Sequence, residues 1–127
     1  MQFNAIGIVC TDIAASLEFY RMLGVDLPYF DSDTGHYEAD LGDGIRLMLD
    51  SEAVMASFTD GYTPPTGNDR VSFAVECEDP GAVDAAFSEI TAAGHAAVRG
   101  PFDAFWGQRY ATVADPDGNH VDLYAAL

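Results

Sequence analysis

The chain contains no lysine. Its basic side chains are five arginines, set against 21 aspartates and glutamates, for a formal net charge of −16. Such a surface repels phosphate backbones and anionic lipid, and no basic run interrupts it, so neither nucleic acid nor a membrane is an expected partner. Cysteine is scarce as well. Cys10 and Cys77 are too few for a disulfide framework and read as core thiols of a reducing, cytoplasmic compartment. No stretch approaches the ~20 consecutive apolar residues of a membrane span, and the opening MQFNAIGIVCTD lacks the basic start and cleavage site of a secretory signal. A Gly-rich phosphate loop and a serine in a nucleophile elbow are both missing, and neither cysteine has a histidine nearby in sequence.

What is present suits a folded domain. With 127 residues, 49% of them apolar and 12% aromatic, the chain is long enough for one domain (1–127) with a substantial core. The acidic excess favours cationic or weakly basic small molecules, although a charge excess alone more often reflects solubility or adaptation to a salty cytoplasm.

Two segments share a plan. FNAIGIVC (3–10) reads as a strand, Thr11 or Asp12 as a cap, and DIAASLEFYRML as a helix whose stripe is Ile13, Leu17, Tyr20 and Leu23, stopped by Gly24. RVSFAVEC (70–77), the cap Asp79 with Pro80 behind it, and a helix to Gly94 with Val83, Phe87 and Ile90 on its stripe repeat the design. Short strands follow each helix: about 27–31, 36–41 and 44–50 in the first half, and about 96–99, 107–115 and 119–124 in the second. The expected fold is α+β, with duplicated β-α-β-β-β modules (about 1–56 and 70–127, linker 57–69) forming a curved mixed or antiparallel sheet. Its helices cover the outer face and leave the other face open as a pocket.

TDIAASLEFYRMLG (11–24) and WGQRYATVADPDGNHVDLY (106–124) together resemble the vicinal oxygen chelate superfamily of glyoxalases, dioxygenases and bleomycin-resistance proteins. The resemblance spans essentially the whole chain and is nearest to the mitomycin-binding resistance branch. It implies a metal held by two histidines, a glutamate of the first module's last strand and a glutamate of the final strand. This chain has Ala5 at the first position, Arg70, Val71, Ser72 and Phe73 around the second, Met48 at the third and Asp122 at the fourth. Divalent metals need several converging imidazole or carboxylate donors, so the expectation is no metal and no cofactor. A displaced set of His36, Glu38, His120 and Asp122, paired at i, i+2 spacing, is the weaker alternative. Polar residues facing water explain the same pattern.

The last strand puts His120, Asp122 and Tyr124 on one face and Val121 and Leu123 on the other. Beside it, PFDAFWGQRY (101–110) concentrates aromatics in a loop-to-strand segment. The candidate ligand-binding residues are therefore Tyr37, Arg46, Met48, Phe105, Trp106, Tyr110, His120, Asp122 and Tyr124. Aromatic walls with a few polar groups suit a planar molecule, and Asp122 suits an amine or another donor. The expected function is non-catalytic binding and sequestration of a planar or cationic, antibiotic-like molecule by a homodimer. A metal-dependent enzyme of the same superfamily is the alternative, and a domain with no ligand of its own is a third reading.

Overall fold

The computed structural model describes residues 1–64, 66 and 71–127. They fall into two compact units, 1–67 and 68–127, each with a mixed sheet that carries helix on one face.

In the first unit, strand β1 (Ala5–Cys10) leads into helix α1 (Ile13–Met22). Asp12 caps the helix with extended backbone, and its Oδ1 accepts from the Ala15 amide at 3.1 Å. Gly24 ends it at φ 84°, a left-handed value that glycine adopts without cost. Strands β2 (His36–Gly42) and β3 (Ile45–Ser51) form a hairpin. Asp43 and Gly44 both have positive φ (52° and 76°), which matches the right-handed twist of the flanking strands. The sheet order is β1-β3-β2, with β1 parallel and β2 antiparallel to β3.

Side-chain alternation then sorts the two faces. Ile8, Cys10, Tyr37, Ala39, Leu47 and Leu49 are buried, as are Ile13, Leu17, Phe19 and Tyr20 of α1. The other face carries Ala5, Gly7, His36, Glu38, Arg46, Met48 and Asp50, aligned by register.

Two expectations for this unit are corrected. Residues 27–31 form no strand. Pro28 has no amide proton to donate, its carbonyl accepts from Arg21 Nη1 at 2.9 Å, and the Arg21 guanidinium sits 4.4 Å from the Tyr29 ring. Residues placed at the end of the module and the start of the linker instead form helix α2 (Glu52–Phe58), capped by Ser51, whose Oγ accepts from the Val54 amide at 3.2 Å. Glu52 in its first turn complements the helix dipole. The rest of the expected linker is partly outside the described residues.

The second unit follows the expected order throughout: β4 (Phe73–Glu76), α3 (Pro80–Ala92), β5 (Ala96–Ala104), β6 (Gln108–Ala114) and β7 (His120–Ala126). The first strand is shorter than expected, and Arg70 lies outside the described residues. By contrast β5 is much longer than 96–99, accommodated by register shifts on either side of Arg99. Asp79 caps α3, accepting from the Ala82 amide at 2.8 Å. Gly94 terminates it at φ 98°.

The sheet order is β4-β7-β6-β5, with β4 parallel to β7 and the rest antiparallel. Val83 and Ile90 of α3 are buried along with Ala111, Val113, Val121, Leu123 and Ala125 of the sheet. Arg109 ties helix to sheet: Nε and Nη2 reach the two oxygens of Asp84 at 2.9 and 3.1 Å, and Nη1 reaches Asp103 at 3.0 Å. The turn before β7 is fixed by buried Asp115. Its Oδ1 accepts from the amides of Asp117 (2.9 Å) and Asn119 (2.8 Å), and its Oδ2 from Asn119 Nδ2 (2.8 Å).

Candidate functional site

With Val121, Leu123 and Ala125 committed to the α3 side, His120, Asp122 and Tyr124 must share the opposite face of the second sheet. Register supplies their neighbours. One row across the sheet reads Arg99, Thr112, Asp122, Ala74; the next reads Phe102, Tyr110, Tyr124, Glu76.

Two neutral groups hold the Asp122 carboxylate. Thr112 Oγ1 donates to its Oδ1 at 2.7 Å, and the Tyr110 hydroxyl also hydrogen-bonds to it. Among the described residues no arginine or histidine forms an ion pair with it. A carboxylate has about four acceptor positions, so this one retains capacity for a further donor. Burial, and then the bond to Asp122, pushes the Tyr110 phenol up to about 12. At neutral pH Tyr110 is a fixed donor with its proton in place, and far from the pKa a general base needs.

The aromatic wall grows from the same register. Phe102 lies opposite Tyr110. The turn from Ala104 to Gly107 is closed by the Gly107 amide on the Ala104 carbonyl at 3.0 Å, and it folds Trp106 back over both rings. Trp106 meets Tyr110 at 5.4 Å, Phe102 at 6.2 Å and Phe105 at 5.0 Å between centroids, each edge to face. Its Nε1 donates to Gln108 Oε1 at 2.8 Å. Trp106 remains 48% exposed and Phe105 97%. These rings present faces and edges to solvent, an arrangement that admits another flat ring.

Six of the expected residues thus gather on or beside this face: Phe105, Trp106, Tyr110, His120, Asp122 and Tyr124. Arg46 and Met48 lie instead on the open face of the first sheet. Met48 extends over Gly7, where a Cβ would sit 3.6 Å from its Cε, and Arg46 Nη1 pairs with Glu38 at 3.1 Å.

Tyr37 is corrected. It is only 4% exposed, its ring belongs to the α1 side with Leu49, its register partner, and its hydroxyl donates to the Asp31 carbonyl at 2.9 Å. The even-odd alternation that puts His36 and Glu38 on the open face sends Tyr37 into the core.

Sequence reasoning missed Arg99, Thr112 and the full part played by Phe102. Thr112 was accessible from the alternation of Tyr110 and Thr112 on one strand. Arg99 was not, because the bulges around it break the two-residue period.

The donors among the described residues do not fit the metal that the resemblance implies. On the first sheet both ring nitrogens of His36 are engaged, Nδ1 by Asp50 at 2.5 Å and Nε2 by Glu38 at 2.9 Å. Those two carboxylates hold the imidazole pKa above its usual value, Asp50 contributing most. Glu38 is further occupied by Arg46. The β1 positions on that face, Ala5 and Gly7, offer no donor atom. Among the described residues no group of three or more His, Cys, Asp or Glu side chains is arranged to hold an ion.

Comparison with known proteins supports this architecture. A family model described as Glyoxalase/Bleomycin resistance protein/Dioxygenase superfamily matches residues 2–123. Among solved structures, a glyoxalase-related enzyme from Fulvimarina pelagi is similar at a TM-score of 0.81 and 19% identity, over 98% of this chain and 87% of that one. A hypothetical protein from S. aureus gives 0.80 and 19%, over 99% and 95%. A glyoxalase/bleomycin resistance protein/dioxygenase from Nocardioides gives 0.68 and 25%, over 100% and 84%. No curated protein matches.

Proposed function

The chain belongs to the glyoxalase/bleomycin resistance protein/dioxygenase superfamily, and within it we propose a non-catalytic role: reversible binding and sequestration of a planar or cationic small molecule, antibiotic-like in character. The observation that carries this reading is the second unit's open face. There a carboxylate without an ion-pair partner among the described residues, Asp122, lies in the row beside the Phe102–Tyr110–Tyr124 row, with Trp106 edge-on to Tyr110. Binding follows from such a face without any chemical step. The aromatic edges and faces stack on a ring, while Asp122 accepts from an amine or hydroxyl.

Several features disfavour a metal-dependent reaction as the role. The strongest donors are engaged with one another on the first sheet, and Tyr110 holds its proton far above neutral pH. The working unit we infer is a homodimer. The acidic surface supports a small-molecule partner over nucleic acid or membrane, and no described helix is long and apolar enough to cross a membrane.

Trp106 provides the test, because it is the chain's one tryptophan. Titration with a panel of planar aromatic amines and antibiotics should quench its emission, saturating at one ligand per chain. Asp122→Asn should weaken binding of the amines and spare that of uncharged rings. If no compound of the panel quenches Trp106 at millimolar concentration, the proposal fails.

A further inference from the structure

Arg99 is anomalous among the described arginines. Acidic side chains outnumber basic ones 21 to 5, so a guanidinium should find a carboxylate easily. Arg109 binds Asp84 and Asp103, Arg46 binds Glu38, and Arg21 donates to the Pro28 carbonyl. Among the described residues, the Arg99 guanidinium makes no ion pair and no hydrogen bond. It instead faces a ring: the guanidinium carbon lies 5.6 Å from the centroid of Phe102. A guanidinium laid over a ring keeps its N–H groups pointing outward in its own plane, where a planar carboxylate can take two of them at once.

Its position gives this meaning. Arg99 is in register with Thr112, and Thr112 with Asp122, so the cation and the anion stand in one row on one face of the sheet. Two strand spacings separate their backbones, about 10 Å. The aromatic row Phe102–Tyr110–Tyr124 runs alongside. Electrostatic influence reaches from both ends to the middle: the Arg99 charge favours ionisation of the Tyr110 phenol, and Asp122 opposes it.

Resting on the proposed binding role, we infer that this face selects a dipolar planar ligand. An acidic group of the ligand, carboxylate or ionised phenol, docks on Arg99, and a cationic or hydrogen-bond-donating group about two strand spacings away docks on Asp122. The pair of opposite charges favours a ligand that carries both signs over a simple cation, which meets only Asp122.

The test uses three probes built on one ring system: 6-(aminomethyl)-2-naphthoate as the zwitterion, 2-naphthylmethylamine as the cation and 2-naphthoate as the anion. Affinities are measured by calorimetry on the intact chain at low and at moderate salt. The zwitterion should bind at least about tenfold more tightly than either singly charged probe, as two charge-assisted contacts exceed one. Arg99→Gln should cut affinity for the zwitterion and the anion by about tenfold without weakening the cation, whereas Asp122→Asn should cut affinity for the zwitterion and the cation without weakening the anion. Arg99→Lys, which keeps the charge but loses the planar fork, should recover only part of the anion's affinity.

Arg99 is exposed on an edge strand, so the variant's melting curve should match the parent's, separating a docking role from a folding one. Equal affinity for cation and zwitterion, with Arg99→Gln indifferent to all three probes, overturns the inference while the binding role stands. Failure of all three to bind overturns both.

Discussion

Replacing Trp106 by alanine separates a wall of the site from a piece of core. A tryptophan can bury up to ~250 Å², and Trp106 is 48% exposed, so about 100–130 Å² is withdrawn from water in the folded chain. At ~25 cal/mol per Å² that surface is worth about 3 kcal/mol, an upper value because the unfolded chain already covers part of it. Alanine keeps some of the contact, and the hydrogen bond from Nε1 to Gln108 at 2.8 Å joins two groups that water can satisfy. The expected loss of stability is about 2 kcal/mol, below the ~3–5 kcal/mol of a fully buried aromatic.

Urea denaturation followed by far-ultraviolet circular dichroism measures this without the tryptophan signal. The thermal midpoint should fall by about 6–10 °C. Affinity for a planar ligand, determined by calorimetry on the folded variant, should drop by about 1–3 kcal/mol. A stability loss above about 4 kcal/mol with unchanged affinity per folded molecule would refute the reasoning, because Trp106 would then be core. Trp106→Phe should restore most of the stability and part of the affinity.

Other expectations are simpler to check. Ultraviolet difference absorbance should show a phenol titrating near pH 12, absent from Tyr110→Phe and shifted downward in Asp122→Asn, because burial and then Asp122 raise it. The sign is that of a raised acid: this stabilising contribution is complete below the ordinary tyrosine value of 10.0 and is lost as pH climbs through about 12.

His36 titrates higher in the folded chain than its reference value of 6.5, through Asp50 first and Glu38 second. Stability should therefore decline as pH rises from 6.5 through the raised value. The change should stay below about 1 kcal/mol because the side chain is 44% exposed. His36→Gln should flatten that slope in denaturant melts. Sedimentation should find a dimer at micromolar protein, tightening as salt screens the −16 charge of each chain; a monomer at every salt concentration would reject it.

The two helices that carry the cores were legible in the sequence for local reasons. Asp12 and Asp79 cap them, Gly24 and Gly94 end them at positive φ, and the stripes through Leu17 and Val83 are spaced for one buried face. The last strand was legible as well. Its strict alternation alone puts His120, Asp122 and Tyr124 opposite Val121 and Leu123, and the Asp115–Gly118 turn fixes where it begins.

Local pattern misled where the chain departs from ideal geometry. Pro28 removed a donor that a strand over 27–31 would have needed, and residues 52–58 had no apolar stripe strong enough to announce a helix that Ser51 nevertheless caps. Tyr37 looked available as an aromatic beside polar neighbours, yet those neighbours, His36 and Glu38, are the reason it points inward.

Local periodicity dictates which residues share a face of each helix and of each regular strand, because these faces follow from periods of 3.6 and 2 that every residue obeys locally. It could not determine which strands lie side by side. Only the pairing of β5 with β6 and of β6 with β7 brings Arg99, Thr112 and Asp122, separated by up to 23 positions in the chain, into one row. That row depends on hydrogen-bond register and on bulges that shift it, quantities set between strands and written in neither strand alone.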